Sequence, residues 1–141
     1  MVAIPDSARA LLNSAALAHV VTQRIDGTPQ VSLVWVGLDG GEVLIGTQPE
    51  NAKVRNLRRN PRIVLSIQGT ELVHGFLVEH LLLTGRAAID EAGPAAWLAL
   101  MDDLSEVYIG KPFPHRAGGD NGVIIRIEVA RIAGVGPWAT G

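Results

Sequence analysis

"ALAHVVTQRIDGTPQVSLVWVGL", residues 16–38, is the stretch that decides the fold. Two runs rich in β-branched residues flank Asp26-Gly27, a pair suited to the positive-φ positions of a tight turn, so the segment reads as a β-hairpin. Asp39-Gly40-Gly41 makes a second turn into "EVLIGT" (42–47), a third strand. Three strands in meander order, with no crossover helix between them, predict an antiparallel sheet.

Further along, "PRIVLSIQ" (61–68) and the long "GFLVEHLLLTGRAAI" (75–89) read as the fourth and fifth strands, and Gly85 marks a bulge or bend in the latter. "VIIRIEV" (123–129) and "RIAGV" (131–135) complete seven. Helical patterns separate them. "DSARALLNSA" (6–15) opens the chain, with Asp6 or Ser7 as N-cap. At "TQPE" (47–50) Thr47 precedes Glu50 by a capping-box spacing, and Pro49 suits a first helical turn. That helix should stop near Asn60, because a residue before proline avoids the α region. "DEAGPAAWLALMDDLSEVYIG" (90–110) gathers Trp97, Leu98, Met101, Leu104 and Tyr108 on one face. A proline- and glycine-rich loop (111–122) and a short tail (136–141) finish the pattern. Seven strands and three helices in a single domain, residues 1–141, predict an α+β protein built on a small antiparallel barrel.

Composition narrows the function. Apolar residues make up 48% and charged residues 18%, so a partner subunit or ligand is expected to cover part of the surface. The pI near 6.0 argues against a nucleic-acid binder, which shows a basic face across the domain. No cysteine is present, which removes disulfides, thiolate nucleophiles and Cys-type zinc sites and suits a cytoplasmic setting. The first residues lack the basic and apolar regions of a signal peptide. The apolar run Phe76–Leu83 contains Glu79 and His80 and is too short to span a bilayer. A soluble protein without membrane contact is expected.

The positive charge is concentrated. "NAKVRNLRRNPR" (51–62) holds Lys53, Arg55, Arg58, Arg59 and Arg62, five of the twelve cationic residues, with no acid among them. Free N–H groups at a helix start favour an anion, and Lys53 and Asn56, three apart, share a face beside that end while Leu57 anchors the helix inward. Gly46, on the strand just before, would let a ligand approach the backbone. A phosphate is the natural occupant, with some of the arginines simply solvated.

Thr47, Lys53, Asn56, Leu57, Asn60 and Pro61 stand in an order that resembles the pyridoxamine-phosphate-oxidase-like flavin-binding split-barrel family. "AKVRNLRRNPR" is most similar to its branch of oxidoreductases that use the deazaflavin coenzyme F420. "DGTPQVSLVW" and "VYIGKPFP…NGVIIRIEVARIAGVGPW" extend the likeness over nearly the full length. The chain departs from true pyridoxamine-phosphate oxidases in three places. Ala52 stands where they carry an arginine, "SLVWVGL" lacks their strand lysine, and "GVGPWATG" lacks their substrate-binding arginine signature.

The resemblance implies a six- to seven-stranded antiparallel split β-barrel with peripheral helices, assembled as a homodimer with its cofactor sites at the subunit interface. It implies that Thr47, Lys53 and Asn56, with the backbone near Asn51 and Ala52, hold the phosphate arm. Gln30 and Ser32 would hydrogen-bond the ring or its ribityl chain; two apart on a strand, they point to one face. The implied activity is hydride transfer from reduced F420 to a small electrophilic substrate such as an enone or quinone. The alternatives are an FMN-binding oxidoreductase of the same fold and a non-catalytic F420- or flavin-binding protein. Arg55, Arg58 and Lys111 are candidates for the acidic tail of the deazaflavin.

Other constellations carry less. His74 and His80 are six apart and would share a strand face, but no third metal ligand is placed by spacing. No G-x-S-x-G, Walker or G-x-G-x-x-G motif supports a hydrolase, P-loop or Rossmann reading. Asp102 and Asp103 diverge on a helix. Trp35 either lines a substrate pocket or fills the barrel, and Tyr108 either reaches a ligand or packs.

Overall fold

The computed structural model describes residues 1–115 and 121–139, so part of the proline- and glycine-rich loop and the last two residues of the tail lie outside the described residues. Ten elements follow in order: α1 (Asp6–Leu12), β1 (Ala18–Gln23), β2 (Pro29–Val34), β3 (Gly37–Asp39), β4 (Glu42–Thr47), α2 (Ala52–Arg59), β5 (Arg62–Val73), β6 (Leu77–Asp90), α3 (Pro94–Ile109) and β7 (Val123–Val135). The strands form one antiparallel sheet in the order β2-β1-β5-β6-β7-β4-β3.

That order forces a barrel. β2 and β3 lie at opposite edges of the sheet, yet only Trp35 and Val36 separate them in the chain. A flat seven-stranded sheet would be roughly 29 Å wide, at about 4.8 Å between neighbours. The three residue steps from Val34 to Gly37 reach at most about 11 Å. The sheet must curl until its edges approach each other, and because β2 and β3 do not pair, the barrel stays split.

The strand count agrees with the sequence reading through two offsetting differences. "TPQVSLVWVGL" is two strands rather than one, because the backbone N–H of Val36 donates to the Tyr108 hydroxyl at 3.1 Å instead of to a neighbouring strand. Tyr108 in turn donates to the Ala16 carbonyl at 2.7 Å. The simple meander is therefore corrected: β2 pairs only with β1, while β4 pairs with β3 and β7. Conversely, the two final strands are one, β7, with Ala130 skipped where the register passes from Thr84↔Arg131 to Gly85↔Val129. Gly85 sits at that bulge as expected, and a Cβ there would run into the Glu128 carbonyl oxygen.

The hairpin turn holds. The Arg24 N–H bonds the Thr28 carbonyl at 2.8 Å, and Gly27 takes φ +86°. The helix starts are less well foreseen. Pro5, not Asp6 or Ser7, precedes α1, with no side-chain cap, and α3 begins at Pro94, so Asp90 and Glu91 stay outside it. Inward residues such as Val20, Ile45, Leu65, Leu83 and Ile125 fill the barrel. Leu44 and Ile124 face the other way, beneath Trp97, Met101 and Leu104 of α3. Arg126 binds Asp90 at 2.8 Å, Asp39 at 3.1 Å and Glu42 at 3.2 Å, tying the short edge strand β3 to its neighbours.

Gly85→Ala should lower unfolding stability by about 2–3 kcal/mol, since the bulge must shift to admit a methyl group. Gly41→Ala is the control, because its Cβ would meet nothing nearer than Met1 Sδ at 3.9 Å. Urea denaturation of the two variants beside the unchanged protein measures both effects.

Candidate functional site

The junction between β4 and α2 is built by sequence-local bonds. Thr47 ends β4, and its carbonyl accepts a 3.1 Å hydrogen bond from the Trp97 indole, so α3 fixes that strand end. The Asn51 side-chain amide turns back to the Thr47 hydroxyl rather than capping the helix. The expected Thr47–Glu50 capping box does not form. Thr47 belongs to β4, Pro49 and Glu50 lie in a turn, and the helix begins only at Ala52.

Val54 and Arg55 donate to the Asn51 carbonyl at 3.1 and 3.3 Å, and the N–H groups of Ala52 and Lys53 at the helix start have no partner among the described residues. Among the described residues Lys53 has no ion-pair or hydrogen-bond partner, although it is half-buried. Burial alone pushes its pKa below the ordinary lysine value. The other cations of the cluster are mostly engaged. Arg55 donates to the Glu50 carbonyl, Arg58 binds Glu91 at 2.8 Å and Arg59 binds the Asn56 side-chain oxygen at 2.5 Å.

Asn56 is buried and faces the barrel. Its amide donates to the Thr22 hydroxyl at 3.1 Å, and Thr22 donates to Gln30 Oε1 at 3.2 Å. Gln30 and Ser32 do share a face of β2, the inward one, opposite Thr22 and Val20 of β1. The Ser32 hydroxyl is buried without a partner among the described residues. The structure thus places Thr47, Asn51, Ala52 and Lys53 together at the junction and Gln30 and Ser32 on β2. Asn56 links the two groups through Thr22.

A cavity of about 310 Å³ adjoins both strands, lined by Leu33, Val34, Trp35, Gly46, Met101 and Phe113. Trp35 stacks on Tyr108 at 5.3 Å and meets Phe113 edge-on at 6.3 Å. The space above Gly46 is taken by Met101 rather than left open. Sequence reasoning passed over Thr22 and Phe113 as site residues and took Arg59 for one more cation of the cluster. Thr22 did leave a signal: a hydroxyl at the alternation position of Ala18 and Val20 lies on the core-facing side and needs a partner.

A buried hydroxyl on β2 and a half-buried ammonium on α2, which packs against that strand, both lack partners among the described residues, a donor set that suits a ligand combining a hydrogen-bonding ring with an anionic arm. His74 lies in a turn at φ +55° instead of on a strand with His80, and no group of metal-ligating side chains occurs among the described residues. No helix among them is long and apolar enough to cross a membrane.

Residues 4–136 match the family model described as pyridoxamine 5'-phosphate oxidase. No curated protein matches significantly by sequence. An F420 reductase is similar in structure, with TM-score 0.75 and 25% identity over 92% of this chain and 98% of that one. The conserved hypothetical protein Rv2991 from Mycobacterium tuberculosis gives 0.76 and 22% over 95% and 85%. HutZ, the heme storage protein from Vibrio cholerae, gives 0.70 and 14% over 94% and 95%. The last two likenesses support the fold alone.

The lowered Lys53 pKa has a defined sign. Between it and the ordinary value the unfolded chain holds the proton more tightly, so this residue's contribution to the stability of the ligand-free protein improves as pH rises through that window. Lys53→Met should therefore hold or raise the melting temperature at pH 7. The same variant should weaken binding of a phosphorylated coenzyme about tenfold or more, through loss of a charge-assisted contact. Thermal melts and titrations of the variant check the two halves together.

Proposed function

The chain belongs to the pyridoxamine 5'-phosphate oxidase family, and from that premise we propose that it is a reductase dependent on the deazaflavin coenzyme F420. The observation that carries the reading is Lys53, half-buried and without a partner among the described residues, in the first turn of a helix whose Ala52 and Lys53 N–H groups make no bond among them and which packs against β2, the strand of Gln30 and Ser32. The likeness to an F420 reductase supports the choice of coenzyme, as do Ala52 and "SLVWVGL", which lack cations that pyridoxamine-phosphate oxidases carry.

In this reading Lys53 and the N–H groups of Ala52 and Lys53 hold the phosphate, with Thr47 and Asn51 shaping the turn around it. Ser32 and Gln30 bond the ring. The bound coenzyme supplies the hydride. The apolar cavity by Trp35 and Phe113 receives a small planar electrophile and excludes water, which strengthens every polar contact inside it. Arg55 lies at the helix start and suits the acidic tail, whereas Arg58 is already paired with Glu91.

The active unit is a homodimer. Val31, Leu33 and Val64 are 55%, 53% and 36% exposed on the outer sheet face, around β1, where a second subunit would cover them. Light scattering at micromolar concentration should return twice the 14.9 kDa chain mass; a monomer mass would contradict this.

Titration of the apo protein with F420 and with FMN, followed by ring fluorescence, tests the coenzyme. F420 should bind more tightly, with affinity that rises with tail length and falls with salt as exposed charges are screened within about 8–10 Å. Tighter FMN binding with no response to tail length would assign the protein to FMN instead.

A further inference from the structure

The hydrogen bonds between α2 and β2 have a direction. A guanidinium can only donate, so Arg59 must meet the oxygen of the Asn56 amide, and the Asn56 nitrogen must then face Thr22. The Thr22 hydroxyl, receiving that bond, has its own proton left to give, and it gives it to Gln30 Oε1. The Gln30 oxygen thereby accepts a bond, and among the described residues its NH2 group is left with only a 3.5 Å contact to the Val31 carbonyl. Thr22 and Asn56 are 1% and 4% exposed, so water does not compete for the middle of the chain.

We propose that Arg59, Asn56 and Thr22 are positioning residues that fix Gln30 as a hydrogen-bond donor toward the ligand. The group it meets is an acceptor, a ring carbonyl or ring nitrogen of the flavin or deazaflavin. This inference rests on the ring-binding role given to Gln30 above. Without the chain an amide presents its oxygen or its nitrogen with similar ease, and half of its orientations would face a ring acceptor with like polarity. The fixed chain removes that ambiguity before the ligand arrives, which is preorganisation. It also gives an exposed arginine, remote from the ring, control over what the ring meets.

The polarity is reversible by design. Arg59→Glu replaces a pure donor by a pure acceptor. Asn56 then offers its nitrogen to Glu and its oxygen to Thr22. Thr22 donates to Asn56 and accepts from Gln30, and Gln30 turns its oxygen outward. Arg62→Glu makes the same charge change on an exposed residue outside the chain.

The test has two arms. In the ligand-free protein, side-chain amide NMR signals of Asn56 and Gln30 should shift in Thr22→Val and return in Thr22→Ser, with the melting temperature recorded beside them. Gln30 signals indifferent to Thr22→Val would overturn the chain itself. The second arm titrates riboflavin and its 5-deaza analogue, which lack the phosphate and so report the ring contact without the anion site. Gln30→Glu and Arg59→Glu should each weaken binding about tenfold, with a changed absorption spectrum of the bound ring. Thr22→Val should weaken it about two- to fivefold, by loss of orientation. Arg62→Glu should change little. Unchanged or tighter binding in Gln30→Glu would show that the ligand faces an acceptor and would refute the proposal. If the unaltered protein takes up neither ring compound, nor F420, while the NMR arm behaves as described, the coenzyme reading fails and the donor role falls with it.

Discussion

Inside the protein, the side-chain amide of Asn56 meets the hydroxyl of Thr22 at 3.1 Å, with almost no water access to either. Burying two polar groups is unfavourable unless they satisfy each other, so this bond is made in one geometry or the pair is strongly destabilising. It fixes the depth and rotation of α2 against β1. Val54 and Leu57 then fill the apolar space beside it, and Lys53 is left half-buried with no counter-ion among the described residues. The free N–H groups at the helix start follow from the same placement, because Asn51 bonds Thr47 instead of capping.

A second constraint acts at the seam of the barrel. The link Trp35–Val36 must carry the chain from one sheet edge to the other, and Tyr108 makes this possible by taking up the Val36 N–H and stacking on Trp35. Burial raises the Tyr108 pKa, so its hydroxyl remains a donor to Ala16 under ordinary conditions. The seam is also where the cavity opens, between the end of β2, the end of β4 and α3. The place where the sheet fails to close is thus the place where a small apolar molecule can enter. Binding sites collect at such discontinuities because a continuous sheet leaves no room for a ligand.

Local chemistry was legible in the sequence, and distant partners were not. Asp26-Gly27 announced the hairpin and Gly85 the bulge, since each reports a backbone requirement met within a few residues. The break at Trp35–Val36 could not be read, because its cause lies 72 residues away in Tyr108. The Thr47–Glu50 spacing suggested a cap, but Thr47 was claimed by the β4–β7 ladder and by Asn51. Lys53 was legible from charge clustering, from its spacing to Asn56 at a helix start and from the family resemblance. That Asn56 turns inward became visible only with Thr22 opposite it, a contact between residues 34 apart. Arg59 shows the same limit: it read as one more solvated cation until Asn56 was seen beside it.

Lys53, half-buried with no counter-ion among the described residues, is suited to receive an anion. Its side-chain 15Nζ resonance, followed through a pH titration of the free and coenzyme-saturated protein, tests this most directly. The free protein should show a pKa below the ordinary lysine value, because burial without a partner disfavours the charge. Saturation with F420 should raise that pKa, as the phosphate supplies the missing counter-ion. An ordinary pKa in the free protein that does not move when the coenzyme binds would contradict the account.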